Sequence, residues 1–233
     1  LFKEANRMLN QLDAVYQTHG VVNIMDANAD GDDLLLNGKR FPLLRQQAAK
    51  LKKDDPFLCL SDFVRPLSSG ITDKIGAFAT TVDAEMEQLY AEDDYKRMLA
   101  QTLSDRLAEA TAEKLHEDVR KKLWGYAPDE NLSVKDLHNE KYQGIRPAVG
   151  YPSLPDQSIN FLLDELLDMK QIGISLTENG MMKPHASVCG LMFAHPASRY
   201  FSIGKIGEDQ LADYAARRGM SIEETKKFLA ANL

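Results

Sequence analysis

Three closely spaced prolines, Pro147, Pro152 and Pro155, limit how the middle of this chain can fold more than any other feature of the sequence. Each proline lacks a backbone N–H and fixes its own φ angle, so neither a helix nor a central strand can pass through them. Each also favours an extended conformation in the residue before it. We therefore predict that residues 143–155, here called the proline strip, form a stiff, extended segment whose amides and carbonyls are not committed to a sheet.

Arg146 lies near the start of the proline strip. A guanidinium can bind a carboxylate through two parallel hydrogen bonds, so an arginine on an exposed extended backbone is typical of a ligand-binding segment. The alternative is a structural loop that links a helical half to a mixed half, with Arg146 in an ordinary ion pair. The residues of the strip alone leave both interpretations open.

The composition is that of an ordinary globular protein, with 44% hydrophobic and 27% charged residues over 233 positions. The formal net charge of −7 disfavours a nucleic-acid partner. Cys59 and Cys189 are far apart, which disfavours a disulfide framework and suits a reducing compartment such as the cytoplasm. No apolar run approaches the roughly 20 residues that would span a membrane. Because the chain opens Leu-Phe-Lys-Glu, we interpret it as a piece excised from a longer protein.

Hydrophobic spacing predicts helices and strands without a steady alternation. Helices are predicted over residues 2–16, with a stop at Gly20, over the basic stretch 43–53, and over 83–124, with a break near 92–94. Shorter helices are predicted over 134–139, 157–169 and 208–218. A last helix should begin at a capping box formed by Ser221 and Glu224. Strands are predicted at 21–25, 34–36, 57–60, 75–82, 174–177, 187–194 and 200–206. The fold class is therefore α+β, with a mixed, largely antiparallel, curved sheet, a long bracing helix and flanking helices.

The long predicted helix carries an approximate apolar stripe that includes Tyr95, Met98 and Leu103. At about 1.5 Å per residue, thirty residues form a rod of about 45 Å, which is long enough to brace the whole domain. The basic residues Arg120, Lys121 and Lys122 lie in its last turns, where they complement the helix dipole.

Residues 26–32 form an acidic segment that matches the first half of an EF-hand calcium loop. The twelfth position is Asn37, where a bidentate Glu is required, and strands rather than helices are predicted on both sides. We favour a hairpin-like turn, with calcium binding as the alternative.

Three other site motifs are absent or incomplete in the sequence. No two glycines are separated by a single residue, which excludes the Rossmann fingerprint. His116 begins a zinc-protease motif, but Arg120 replaces the second histidine ligand. Asp136 and His138 imitate a cobalamin-binding loop, but Lys141 replaces the required glycine.

Two ordered motifs carry a family resemblance: Arg146-x-x-x-Gly150-Tyr151, and the later run Ser198-Arg199-Tyr200-Phe201. Further matching segments are residues 105–110, 124–128, 130–132, 142–152, 186–188 and 213–221. Together they resemble the activation (reactivation) domain of cobalamin-dependent methionine synthase over essentially the whole chain. The resemblance implies that residues 1–233 form a single S-adenosylmethionine-binding domain, N-terminally truncated because the family's upstream D-W-x-x-F segment is missing.

By this resemblance, the domain binds S-adenosylmethionine and presents its methyl group to cob(I)alamin during reductive reactivation of the enzyme. The cobalamin is carried by a neighbouring cobalamin-binding module and not by this chain. Flavodoxin or a flavoprotein reductase supplies the electron. The domain is then a methyltransferase component of methionine biosynthesis that is not active alone.

The resemblance also implies residue roles. Arg146 would bind the ligand carboxylate, Tyr200 and Phe201 would face the sulfonium, and Glu109 and Glu140 would accept from the ammonium or the ribose hydroxyls. The adenine and ribose would lie against Pro147, Ala148, Gly150 and Tyr151. Phe201 stands where many family members have a second tyrosine, so it keeps the ring but loses a hydroxyl.

Two other functions stay open at this point. One is a stand-alone methyltransferase for another small acceptor, although no acceptor-activating base is evident. The other is a non-catalytic docking or calcium-binding module.

Overall fold

The computed structural model describes residues 2–47 and 55–233, and its strands form one main antiparallel sheet. The strands are β1 Thr18–Asp30, β2 Asp33–Leu36, β3 Lys39–Pro42, β4 Asp73–Val82, β5 Ser175–Leu176, β6 Met182–Lys183 and β7 Ser187–Met192. Five of them pair in the order β3-β2-β1-β4-β7, and the short β5 and β6 pair with each other. The main sheet is strongly curled, which confirms the predicted antiparallel, curved sheet of an α+β fold.

Six α-helices flank the sheet in the described part of the chain. They are α1 Phe2–Asp13, α2 Asp94–Asp118, α3 Val134–His138, α4 Ile159–Leu167, α5 Glu208–Arg218 and α6 Ile222–Phe228. Residues 75–82 of β4 are buried along their whole length, because α2 and α4 both pack against this central strand. Such burial on both faces explains why residues 75–82 include no charged side chain.

The acidic segment 26–32 spans the end of β1 and the hairpin turn that leads into β2, so the predicted hairpin is present. The register pairs Asp30 with Asp33 and leaves Gly31 and Asp32 in the turn. Basic side chains already engage the acidic ones: Arg40 contacts Asp30 at 2.6 Å, and Arg45 contacts Asp32 at 2.7 Å.

The long bracing helix is confirmed, and its break falls just before α2, where Asp93 caps the helix by accepting from Lys96 N. The predicted apolar stripe is wrong in detail. Tyr95 and Met98 are 47% and 61% exposed, whereas small and polar side chains one turn apart face the core, namely Ala100, Ser104, Ala108, Ala112 and His116. Small side chains let α2 lie close to β4, and Thr80 Oγ1 of that strand donates to Ala108 O at 3.0 Å.

Several predicted boundaries are wrong. Helix α1 ends at Asp13, and Gly20 lies inside β1. Residues 57–60 form only a bridge at Cys59, followed by the 3-10 turn Leu60–Phe63. Residues 200–206 form no strand, because their backbone bonds to the proline strip instead of a sheet neighbour: Ile203 N donates to Pro152 O at 2.9 Å.

The predicted basic helix over 43–53 is not present in its described part. Residues 43–47 are non-helical. Residues 48–53 of that prediction lie outside the described residues. Arg45 in this stretch pairs with Asp32 and Asp62.

The last two helices follow their capping signals. Gly219 ends α5 in the left-handed conformation, and Ser221 caps α6 by accepting from Glu224 N. A buried hydrogen bond of 2.6 Å from Tyr214 on α5 to Asp156 ties this helix pair to the region just after the proline strip.

We expect Ser221→Ala to lower the free energy of unfolding by about 1 kcal/mol, because the cap of α6 is lost. For a chain of this size the melting temperature should fall by about 2–4 °C. Thermal unfolding followed by circular dichroism measures the change. Ser68→Ala, at an exposed serine that caps no helix, is the matched control. Equal melting temperatures for the two variants would contradict the capping assignment.

Candidate functional site

The proline strip lies along β7 and is partly paired to it. Ile145 exchanges two hydrogen bonds with Phe193, of 3.0 and 2.9 Å, and Pro147 O accepts from Leu191 N at 3.0 Å. Val149 N–H donates to the same strand at 2.9 Å. The prediction of an uncommitted backbone is therefore wrong for alternate residues, because a proline loses its N–H but keeps a carbonyl that can accept.

The intervening residues of the strip direct their backbone groups away from β7, as the antiparallel pattern requires. Arg146 N donates to the Tyr200 hydroxyl at 3.0 Å, and Ala148 O accepts from Tyr151 N at 3.3 Å. Within the described ranges, no group accepts a hydrogen bond from Ala148 N–H. This outward edge of the strip carries one backbone donor that a ligand could use.

Gly190 on β7 makes the close approach of the strip possible. A Cβ at Gly190 would lie 2.2 Å from Pro147 O and 2.8 Å from Ala148 Cα. Gly144 has the same role at the start of the strip, where a Cβ would lie 2.3 Å from Phe193 O. The partners in these contacts could not be predicted from the sequence, because each glycine lies far along the chain from the backbone that it meets.

Tyr200 and Phe201 face the strip, and two contacts fix them there. One is the hydrogen bond from Arg146 N to the Tyr200 hydroxyl. The other is Ser153 Oγ, which donates to Phe201 O and accepts from Phe201 N at 3.1 Å. Burial raises the pKa of the Tyr200 hydroxyl well above its usual value, so it stays protonated.

The strip, the Tyr200–Phe201 pair and one face of α2 enclose a cavity of about 830 Å³. Its volume is in the usual range for small-molecule sites. Of the residues predicted from the sequence, Glu109, Glu140, Arg146, Pro147, Ala148, Tyr151, Tyr200 and Phe201 line it. Gly150 does not line it but lies in the following turn with φ +85°. The structure thus brings eight of the nine predicted site residues together around one cavity.

A second cavity, of about 680 Å³, lies between α1, β1 and α2. Leu9, Tyr16, Thr111 and Leu115 are among its lining residues. None of the ligand-binding residues predicted from the sequence lines this second cavity.

Three side chains contact the guanidinium of Arg146. Its Nη2 donates to Glu113 Oε2. Its Nη1 lies 3.0 Å from the Tyr142 hydroxyl and 3.3 Å from His116 Nδ1. The ion pair of Arg146 that the structural-loop interpretation expected is therefore present, with Glu113 as its partner. A guanidinium has five N–H donors, so Nε–H and one N–H of Nη2 are left without an acceptor in the part of the chain that the structure describes.

His116 is fully buried and neutral. Burial lowers the pKa of its ring well below the usual value, and the nearby Arg120 and Arg146 lower it further. Because Nδ1 faces a guanidinium donor, Nδ1 must be the accepting nitrogen. The Nε2–H then donates to the Tyr126 hydroxyl at 3.2 Å. Sequence reasoning considered His116 only as a zinc ligand and missed this role.

Arg120, expected to complement the helix dipole from the last turns of the long helix, is completely buried. It forms two hydrogen bonds to Glu130, of 2.8 and 2.7 Å. Its guanidinium lies 4.5 Å from the centre of the Tyr142 ring. The charge on Arg120 is thus neutralised internally, and this pair supports Tyr142, which in turn contacts Arg146.

The carboxylates of the cavity occupy different depths. Glu109 and Glu140 lie near the surface, and the Tyr151 hydroxyl donates to Glu109 at 3.3 Å. Glu113, one turn further along α2, is the carboxylate that reaches Arg146. Its Oε1 is buried and has no hydrogen-bond partner among the described residues. The sequence prediction missed Glu113 because nothing in the spacing separates it from the other acidic residues of α2.

Within residues 2–47 and 55–233, no group of three His, Cys, Asp or Glu side chains is arranged to hold a metal ion. No helix in those ranges is both long enough and apolar enough to cross a membrane.

Comparison with known proteins points to one family. The family model described as "Vitamin B12 dependent methionine synthase, activation domain" matches residues 1–219. A crystal structure of the MetH reactivation domain bound to AdoHcy is 45% identical in sequence and superposes with a TM-score of 0.92. The match covers 100% of this chain and 76% of that one. The chain therefore belongs to the family of activation domains of vitamin B12-dependent methionine synthase.

Proposed function

We propose that this chain binds S-adenosylmethionine in the cavity beside the proline strip and presents its methyl group to cob(I)alamin during reductive reactivation of methionine synthase. Residues 1–233 act as one binding domain. The observation that carries this proposal is a convergence around one cavity. Arg146 donors and the Ala148 N–H that have no acceptor in the described parts of the chain meet the Tyr200–Phe201 pair there. Family membership and the AdoHcy-bound relative support it.

The amino-acid end of the ligand would bind Arg146. The α-carboxylate needs a cation with two parallel donors, and Nε–H and the remaining N–H of Nη2 supply them. The adenosine would lie along the outward edge of the strip, where Ala148 N–H is a donor and Pro147 and Tyr151 provide apolar surface. Glu109 and Glu140, near the mouth, are acceptors for hydroxyl or ammonium groups.

The sulfonium would lie against Tyr200 and Phe201. A cation is attracted to the faces of aromatic rings, and a sulfonium is a cation. Phe201 keeps this surface although it lacks a hydroxyl. The hydrogen bond between the Tyr200 hydroxyl and Arg146 N holds one of these rings in place.

The reaction needs no general acid or base from this chain. When the methyl group passes to cob(I)alamin, the electrons of the broken carbon–sulfur bond stay on sulfur and S-adenosylhomocysteine (AdoHcy) is released. The residues of the cavity therefore act mainly by positioning the ligand.

The proposal requires two partners. A neighbouring cobalamin-binding module of methionine synthase carries the methyl acceptor, and flavodoxin or a flavoprotein reductase supplies the electron. The chain is accordingly the donor half of a methyltransferase and is not active alone.

Methyl transfer tests this function directly. The chain is mixed with a cobalamin-loaded module, a one-electron reductant and S-adenosylmethionine carrying a labelled methyl group. We expect label on the cobalamin and one AdoHcy per methyl transferred, with no AdoHcy when the module is omitted. Continued AdoHcy release with a small acceptor and no cobalamin would contradict the proposal and favour a stand-alone methyltransferase.

We expect Tyr200→Phe to weaken S-adenosylmethionine binding about fivefold, because one hydrogen bond that fixes the wall is lost while the ring stays. Tyr200→Leu, which also removes the ring, should weaken it by a further factor of about five. Isothermal titration calorimetry measures both. Equal affinities for the wild-type chain and Tyr200→Leu would remove Tyr200 from the site.

A further inference from the structure

His116 is a buried titratable group beside the site that the proposed function does not use. It lies on the inner face of α2 and its ring packs edge-on against the Tyr142 ring, with centroids 5.2 Å apart. Its two nitrogens have different partners. Nδ1 contacts Arg146 Nη1, and Nε2 contacts the Tyr126 hydroxyl.

The contacts of Arg146 define which of its donors are open. Tyr142 and His116 occupy Nη1, and Glu113 occupies one N–H of Nη2. If the His116 acceptor were missing, Nη1 would have an unsatisfied donor, and the planar guanidinium could turn to satisfy it. A turned guanidinium would no longer direct its Nε–H and its second Nη2 donor together toward one carboxylate.

We propose that His116 is a positioning residue that orients Arg146 for the α-carboxylate of the ligand, so that α2 helps to select the amino-acid end of S-adenosylmethionine. This inference rests on the proposed function. His116 does not touch the ligand; it acts through Arg146. Only its Nδ1 acceptor is required for this role, and the hydrogen bond to Tyr126 is not.

Two amide substitutions separate the two contacts. In His116→Asn, the amide oxygen takes the place of Nδ1 and can accept from Arg146, but the contact to Tyr126 is lost. In His116→Gln, the longer side chain places its amide where Nε2 was, so the contact to Tyr126 is kept and that to Arg146 is lost. If His116 only filled space, the ligand affinities of the two variants would follow their side-chain size and stability. They would not depend on which ring nitrogen the amide replaces.

Two ligands distinguish the contribution of Arg146 to binding from that of the rest of the cavity. AdoHcy has the amino-acid end, whereas 5′-methylthioadenosine lacks it and cannot use Arg146. Affinity for both is measured by isothermal titration calorimetry on the wild-type chain and both variants, with thermal unfolding in parallel. Met86→Ala, at a buried site in another part of the core, is the control for lost stability alone.

We expect His116→Asn to bind AdoHcy within about threefold of the wild-type chain and His116→Gln to bind it about tenfold more weakly, as one hydrogen bond to a charged group is lost. Binding of 5′-methylthioadenosine should change in neither variant. Met86→Ala should melt at a lower temperature with its preference between the ligands unchanged.

Equal AdoHcy affinities in the Asn and Gln variants would overturn the inference, as would a parallel loss of affinity for both ligands. Wild-type affinities that are the same for AdoHcy and 5′-methylthioadenosine would also overturn it, while leaving nucleoside binding in place. A wild-type chain that binds neither ligand would overturn the proposed function and this inference with it.

Discussion

Replacing Arg146 with alanine is expected to weaken S-adenosylmethionine binding by at least about a hundredfold, since two charge-assisted hydrogen bonds to the ligand carboxylate are worth about 3 kcal/mol or more. The variant also leaves Glu113 without the cation that it contacts. That carboxylate then repels the ligand carboxylate, which adds to the loss. Isothermal titration calorimetry measures the affinity.

The controls for this prediction are two other arginine substitutions. Arg146→Lys keeps the charge but lacks the planar pair of donors, so it should recover only a small part of the affinity. Arg106→Ala removes an arginine that lines the same cavity but is exposed and pairs with Glu109. Its effect should stay below about fivefold, as exposed ion pairs contribute little. An unchanged affinity in Arg146→Ala would remove Arg146 from the site.

Gly190→Ala is expected to have the second large effect, because it pushes the proline strip away from β7. The new Cβ would meet Pro147 O at 2.2 Å and Ala148 Cα at 2.8 Å, and both are backbone atoms that cannot rotate aside. Overpacking of this kind should cost about 2–3 kcal/mol of stability. Because the strip carries the ligand contacts, affinity measured well below the melting temperature should also fall more than about tenfold.

Gly20→Ala is the matched control for this backbone prediction. Gly20 is also a strand glycine, but its Cβ would meet only side-chain atoms at 3.4 Å and Ala79 O at 3.8 Å, which are ordinary contacts. Differential scanning calorimetry and ligand titration should show a much smaller change than for Gly190→Ala. Full ligand affinity in a folded Gly190→Ala chain would show that the position of the strip does not determine binding.

The sequence predicted the proline strip because the chemistry of proline is local. It did not predict that the strip pairs with β7, since that depends on Gly190, a distant residue whose lack of a side chain becomes meaningful only when two backbones meet. The strand predicted at residues 200–206 failed for a related reason. Its β-favouring residues satisfy their backbone through Pro152 and Ser153 of the strip rather than through a sheet.

The deeper part of the site was missed for a different reason. Glu113, His116 and Arg120 look like ordinary polar residues of a long helix, and the expected stripe of large apolar residues directed attention to the wrong face of α2. The structure shows small residues on the buried face, which bring α2 close to β4. Burial then turns His116 and Arg120 into parts of the network behind Arg146, and burial is a property of the packed fold.

A crystal structure of the chain with AdoHcy tests the central claim most directly. We expect the ligand in the cavity between the proline strip and α2, with its α-carboxylate within hydrogen-bond distance of Arg146 Nε and Nη2, and its sulfur beside the Tyr200 and Phe201 rings. Ligand density in the second cavity, between α1, β1 and α2, would contradict the account. So would an Arg146 that still contacts only Glu113, His116 and Tyr142.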